Sequence, residues 1–244
     1  MTRFTSSRPD GVFQTPDVMG HTNIVGGPGP GGSLGLTESA PRRRQSMPFV
    51  PFETGIEISG QSVRAIVDGF HTFAVLGSSY LLEWGLGKPT ALGRAEVDPT
   101  AWYKQEDWLR CLREIGTQLG ERRVMEVGLT VPRNAMFPEG IRDIREAIRS
   151  IDVSYHLNHR KNGVPMFEPS TGRMQEGIGH YGCEWVPHQR KIISQCETPY
   201  SCAFDRGLLT AMAQLCEANA RVAHDHSDAC RKRGSRYCSY VITW

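Results

Sequence analysis

Three cysteines and a histidine near one end of this 244-residue chain have side chains that suit soft metal chemistry. Cys202 follows the run Cys196-Glu-Thr-Pro-Tyr-Ser. His224 opens His-Asp-His-Ser-Asp-Ala-Cys230, and Cys238 stands eight residues beyond Cys230, with Gly234 between them. Six of the seven cysteines lie after residue 182. No export signal is visible, so a disulfide framework is a poor default and the cluster reads as metal or redox chemistry. Zinc takes four such ligands in a tetrahedron, and four protein ligands leave no open position, so the expected ion is a structural zinc. Asp225, His226 and Cys196 are alternatives to His224 as the fourth ligand. Cys111 and Cys216 sit on apolar helical faces and read as core; Cys183 has no obvious partner.

For the thiols to meet, Cys202 must stand beside a helix start, and Cys230 and Cys238 must flank a turn into a closing strand. Periodicity supplies such elements. Ser59 caps a helix through Val63, Ile66, Val67 and Phe70, and a second apolar helical stretch runs over 78–84. Trp108, Leu109, Leu112, Ile115 and Leu119 mark a third helix; Ile141, Ile144, Ile148 and Ile151 mark a fourth. Residues 178–186 and 191–196 read as strands joined at Pro187-His188, then a helix over 205–217 with Leu208, Leu209, Met212 and Leu215 inward. Strands over 220–223 and 237–244 close the chain. The expected class is α+β: N-terminal helices on a C-terminal antiparallel sheet with an inserted helix.

Residues 1–46 hold 13 Gly or Pro and carry a net charge of +2, while the remainder is neutral. We expect a flexible leader over 1–48 and one ligand-binding domain over 49–244. A neutral domain has no electrostatic footprint for nucleic acid. The longest apolar run, 69–82, falls short of the ~20 residues that cross a bilayer. The expected setting is cytoplasmic.

Phe204-Asp205-x-Gly207 after Cys202, an apolar helix, then Cys230-Arg-x-x-Gly234-x-x-x-Cys238-x-Tyr240 resembles the C-terminal part of the 4-vinyl-reductase-type small-molecule-binding domain. That family includes hydrocarbon-responsive bacterial input domains and is similar in fold to haem-NO-binding domains. The resemblance covers 196–244. It implies zinc on Cys202, Cys230 and Cys238 with an acidic ligand three residues before Cys230, where this chain has Ser227; His224 takes that role here. It also implies a cradle for an apolar ligand, for which Trp108, Phe137, Tyr155, His159, Tyr181 and Trp185 are the candidates. The function expected is a ligand-binding sensory module acting through a homodimer or a signalling partner. An accessory or reductase-like role on a tetrapyrrole or other apolar substrate is the alternative, although no dinucleotide fingerprint is present. A haem gas sensor is the third reading, with His71 between Phe70 and Phe73 as axial candidate; the Tyr-x-Ser-x-Arg propionate clamp of haem-NO-binding domains is absent.

Overall fold

The structure, a computed structural model, describes residues 47–226 and 229–244. The expected leader lies outside these residues but for its last two positions, and so does Ser227. Strand β1 (Ile56–Ser59) ends on the expected cap: Ser59 Oγ accepts the Ser62 N–H at 3.3 Å and opens α1 (Gly60–Val63). The single helix expected behind Ser59 is divided, with α2 (Ala65–Gly69) and then α3 (Ala74–Glu83) following.

Strand β2 (Trp102–Lys104) leads into α4 (Gln105–Leu119), whose Trp108, Leu109, Leu112 and Ile115 are fully buried, as their spacing requires. Helix α5 (Glu121–Asn134) has no clear sequence signal, because Gly128 and Pro132 interrupt its pattern. In α6 (Ile144–Leu157), Asp143 caps the start by accepting the Glu146 N–H at 2.8 Å. This helix reaches past Tyr155 to a buried last turn, and β3 (His159–Lys161) follows it. Ile141 stays outside the helix.

Two sheets position the rest. A small one runs β2–β1–β3–β4, where β4 is Val164–Pro165. The larger one uses β5 (His180–Tyr181), β6 (Glu184–Trp185), β7 (Lys191–Glu197), β8 (Arg221–His224) and β9 (Cys238–Thr243), in the order β6–β7–β9–β8 with β5 also on β7. The strand expected over 178–186 is therefore two short pieces on one continuous register, Cys196↔Tyr181 and Ile193↔Glu184. Helix α7 (Cys202–Cys216) is inserted between β7 and β8. It starts three residues before the expected position, because Ser201 Oγ accepts the Phe204 N–H at 3.3 Å. Leu215, expected inside, is 65% exposed.

Helices α5 and α6 pack on α7, and α7 packs on β8 and β9. The α5–α7 crossing is made of reciprocal glycines. A Cβ on Gly207 would stand 2.2 Å from the Met125 carbonyl oxygen, and one on Gly128 would stand 2.3 Å from that of Phe204. Glycine at both positions lets the backbones touch, which fixes the height of the first turn of α7 and of Cys202 within it. Among the described residues no helix is long and apolar enough to cross a membrane.

Candidate functional site

Cys202 stands on the first turn of α7, His224 ends β8, Cys238 begins β9, and Cys230 precedes a 3-10 turn at Arg231–Arg233. That turn closes on Gly234, whose φ of 85° is a left-handed conformation suited to glycine. Its N–H bonds the Arg231 carbonyl at 3.0 Å, and the Ser235 N–H bonds the Cys230 carbonyl at 3.2 Å. The eight-residue spacing of the two cysteines is thus the length of a turn that returns Cys238 beside Cys230.

The candidate ligand atoms of Cys202, His224, Cys230 and Cys238 lie within 4.8 Å of one another. Cys202 Sγ is 3.8 Å from Cys230 Sγ and 3.5 Å from Cys238 Sγ. A disulfide needs ~2.0 Å, and the cysteines are free. A tetrahedral ion with ~2.3 Å metal–sulfur bonds would hold its sulfurs about 3.8 Å apart, close to these separations. The His224 ring stacks on Tyr240, its register partner, at 4.9 Å, and its buried Nε2 has no hydrogen-bond partner. Of the alternative fourth ligands, Cys196 faces Ser194 Oγ at 3.7 Å instead, and neither Asp225 nor His226 joins the group.

Charge beside the cluster is buried. Arg231 Nη2 donates to Asp205 Oδ2 at 2.7 Å, and both side chains are fully buried. Burial pushes the Asp205 carboxyl up to about 6, against the pull of Arg231. The Arg231 backbone N–H donates to Cys238 Sγ at 3.5 Å. Hydrogen bonding from Cys202, helped by the Arg231 charge and opposed by burial, brings the Cys238 thiol down to about 4, while the same contact pushes Cys202 up. The motif residue Asp205 therefore anchors a cation next to the sulfurs. Arg231 was missed in the sequence because an Arg in a run of three basic residues reads as solvated.

A partly open cavity of about 30 Å³ lies on the other side of α7. Of the residues expected to form a ligand cradle, Trp108, Phe137, Tyr155, His159 and Tyr181 line it, joined by Tyr200 and Phe204, which the sequence did not single out. Trp185 does not: it packs on Trp244 at 5.5 Å with Arg145 over its face at 4.7 Å, because β6 sits at the sheet edge. His159 Nδ1 bonds the Tyr155 carbonyl at 2.6 Å and its Nε2 bonds the Tyr200 hydroxyl at 3.1 Å. Burial takes its pKa down to about 4, so the imidazole is neutral. The carboxamide of Gln105 and Trp108 Nε1 are buried beside the Tyr200 hydroxyl, and neither reaches hydrogen-bond geometry with it or with another group. Each unmet buried group costs ~1–3 kcal/mol.

No family model matches the chain, and no curated protein matches it. Solved structures do. An H-NOX protein from S. oneidensis in the Fe(II)NO ligation state aligns at TM-score 0.49 and 16% identity over 76% of this chain and 98% of its own. A triple mutant of the S. oneidensis H-NOX protein in the Fe(II) ligation state gives 0.48 and 16%, over 76% and 95%. An Fe(II) unliganded H-NOX mutant from K. algicida gives 0.46 and 11%, over 76% and 96%. The chain is a mixed helix-and-sheet protein, and these structures belong to the haem-NO-binding side of the resemblance; they do not confirm the 4-vinyl-reductase side. The expectation of a structural zinc as cofactor is corrected here. The matched structures are H-NOX proteins described in Fe(II) ligation states, not as zinc proteins, and four soft donors in one place are by themselves weak support for zinc.

Haem, however, does not fit the residues of this chain. It needs an axial imidazole aimed into an apolar pocket. His71 is on the surface with φ 45°, and Phe73 beside it is 57% exposed. His159 has both ring nitrogens engaged, and His156, whose Nε2 is unpartnered, does not line the cavity. The cavity itself is an order of magnitude below the ~300–1,000 Å³ of ordinary ligand pockets.

Proposed function

We propose that this chain is a small-molecule-binding sensor domain whose ligand site is the cavity between α4, α5, α6 and α7. One observation supports the reading: an aromatic-walled space is lined by Trp108, whose buried Nε1 has no hydrogen-bond partner. A ligand of only a few heavy atoms partners Trp108 Nε1, and the Tyr200 hydroxyl, held by neutral His159, orients it. The wall is apolar on its other side, through Ile151, Phe204 and Leu208. In the same reading Cys202, His224, Cys230 and Cys238 hold a soft metal ion, supported by sulfur separations that match a tetrahedral edge and by the unmet His224 Nε2. The sensor passes its state to a second copy or to a partner protein.

Native mass spectrometry of the protein from its own cells tests the cavity. We expect a small-molecule mass that is lost on denaturation and absent from Ala135→Phe, which fills the space from its rim. A wild-type protein that carries nothing, together with an Ala135→Phe variant that is simply more stable, would show the cavity to be a packing gap.

A further inference from the structure

Away from the cysteines, α6 and β5 bring together a second set of donors. Asp152 and His156 stand four residues apart on α6 and so share a face. His180 opens β5, and Glu176 precedes it by four residues. One ligand atom from each of Asp152, His156 and His180 lies within 4.8 Å of the other two. The His156 and His180 rings are 5.0 Å apart, centroid to centroid.

Each donor has one atom tied down and another left over. His180 Nε2 bonds Glu176 Oε2 at 3.1 Å, which leaves Nδ1 facing Asp152 Oδ2 at 3.0 Å. Asp152 Oδ1 accepts the Tyr181 N–H at 2.9 Å, which leaves Oδ2. His156 Nδ1 donates to the Asp152 backbone carbonyl at 2.8 Å, so Nε2 is its basic nitrogen. That Nε2 belongs to a fully buried side chain and has no partner. Metal-binding imidazoles are held in this way: a carboxylate or carbonyl accepts from one nitrogen and fixes the tautomer that presents the other. A zinc ion with ~2.0–2.1 Å bonds to nitrogen and oxygen holds neighbouring ligand atoms about 3.3 Å apart. The 3.0 Å between His180 Nδ1 and Asp152 Oδ2 is close to this, and the ion would take the place of the proton between them. The Asp152 and His180 side chains are 21% and 38% exposed, which gives an ion a path from solvent.

We propose that Asp152, His156 and His180 form a second divalent-metal site, of the zinc type, with Glu176 as the positioning carboxylate behind His180. Two imidazoles and a carboxylate suit borderline ions, in contrast to the soft sulfurs of the cysteine cluster. Three protein ligands leave the fourth position to water. The site also sits behind the cavity wall. Tyr155 and Tyr181, the chain neighbours of His156 and His180, both line the cavity and meet edge to face at 5.4 Å. The Tyr155 hydroxyl donates to the Ile178 carbonyl at 2.7 Å. A bound ion therefore clasps the 176–181 segment to α6. The site requires neither metal on the cysteines nor an occupant of the cavity.

Zinc(II) is the probe, titrated into the reduced full chain labelled with ¹⁵N. Long-range proton–nitrogen correlation reads the histidine rings, assigned with His156→Gln and His180→Gln. We expect one zinc equivalent that moves His156 Nε2 and His180 Nδ1 together to the shifts of ligated nitrogens, whatever the cysteines bind. Asp152→Asn should lose that equivalent. Glu176 is 84% exposed, so Glu176→Gln leaves the packing alone and should weaken zinc by about tenfold. Exchange of the Tyr181 amide with solvent should slow severalfold as the site fills. A response of His180 alone would mark an exposed imidazole collecting metal and overturns the site; so does zinc that fills the cysteines and leaves both rings unmoved. Should Asp152→Asn fail to fold, Glu176→Gln decides, and a wild-type zinc affinity in it overturns the assignment. A Tyr181 exchange rate unmoved by bound zinc overturns the clasp. Loss of this site leaves the cavity and the cysteine cluster as they stand.

Discussion

Protonating His159 is the perturbation that examines the cavity most directly. Its Nδ1–H points at the Tyr155 carbonyl and its Nε2 accepts from Tyr200, an arrangement that needs the neutral ring. Burial, the leading cause, lowers its pKa to about 4, and the Tyr155 carbonyl opposes this only in part. In the unfolded chain the group titrates near ~6.5. The folded value is the lower one, so the unfolded state binds more protons throughout the window between 4 and 6.5. Stability from this group is therefore fully present above pH ~6.5 and is lost as pH falls toward 4. A shift of about 2.5 units corresponds to ~3 kcal/mol in full, of which about 2 kcal/mol is lost by pH 5. Urea unfolding of wild type and His159→Gln at pH 7.5 and pH 5 gives the double difference, in which every other titrating group cancels to first order. We expect wild type to lose about 2 kcal/mol more than the variant between the two pH values. Equal losses would mean that His159 is hydrated in solution, and the buried, neutral wall described above would be wrong.

Two further outcomes follow from the same geometry. Gly207→Ala should destabilise by about 2 kcal/mol or more in thermal or urea melts, because the clash with the Met125 carbonyl outweighs the ~1 kcal/mol that alanine gains in an ordinary helix; a more stable variant would show that α5 and α7 are free to part. Cys238→Ser should lower the metal content of protein purified under reducing conditions, measured by elemental analysis, whereas Cys111→Ser, buried away from the cluster, should not.

Local signals in the sequence were legible where one residue type does one job. Ser59 is an N-cap, Trp108 to Ile115 form one buried face, and the Cys230-to-Cys238 spacing is a glycine-closed turn. Legibility failed where tertiary contact decides. Helix α5 is held by its crossing with α7 at Gly128, and a glycine needed for backbone approach looks in sequence like a helix breaker. Tyr200 follows Pro199 and reads as loop, yet it stacks on Phe204 at 4.5 Å and meets His159, 41 positions away, through its hydroxyl. Arg231 reads as surface because its neighbours Lys232 and Arg233 are surface; only Asp205, on another element, draws it inside. The cofactor was misread for a related reason. Ligand spacing says which atoms can meet, and it says nothing about which ion a protein keeps.

The position of Asp205 explains why the motif around Cys202 is arranged as it is. Cys202, Phe204, Asp205 and Gly207 occupy different faces within the first two turns of α7, about 100° apart per residue. Cys202 faces the sulfur cluster, Phe204 the cavity, Asp205 the buried arginine between them, and Gly207 the carbonyl of Met125. The start of α7 thus serves both sites, and its height is set by a backbone contact that tolerates almost no adjustment. Any shift of that segment must be felt at the sulfurs and at the cavity together. A structure built to keep the two independent would have placed the cysteine and the phenylalanine on different elements.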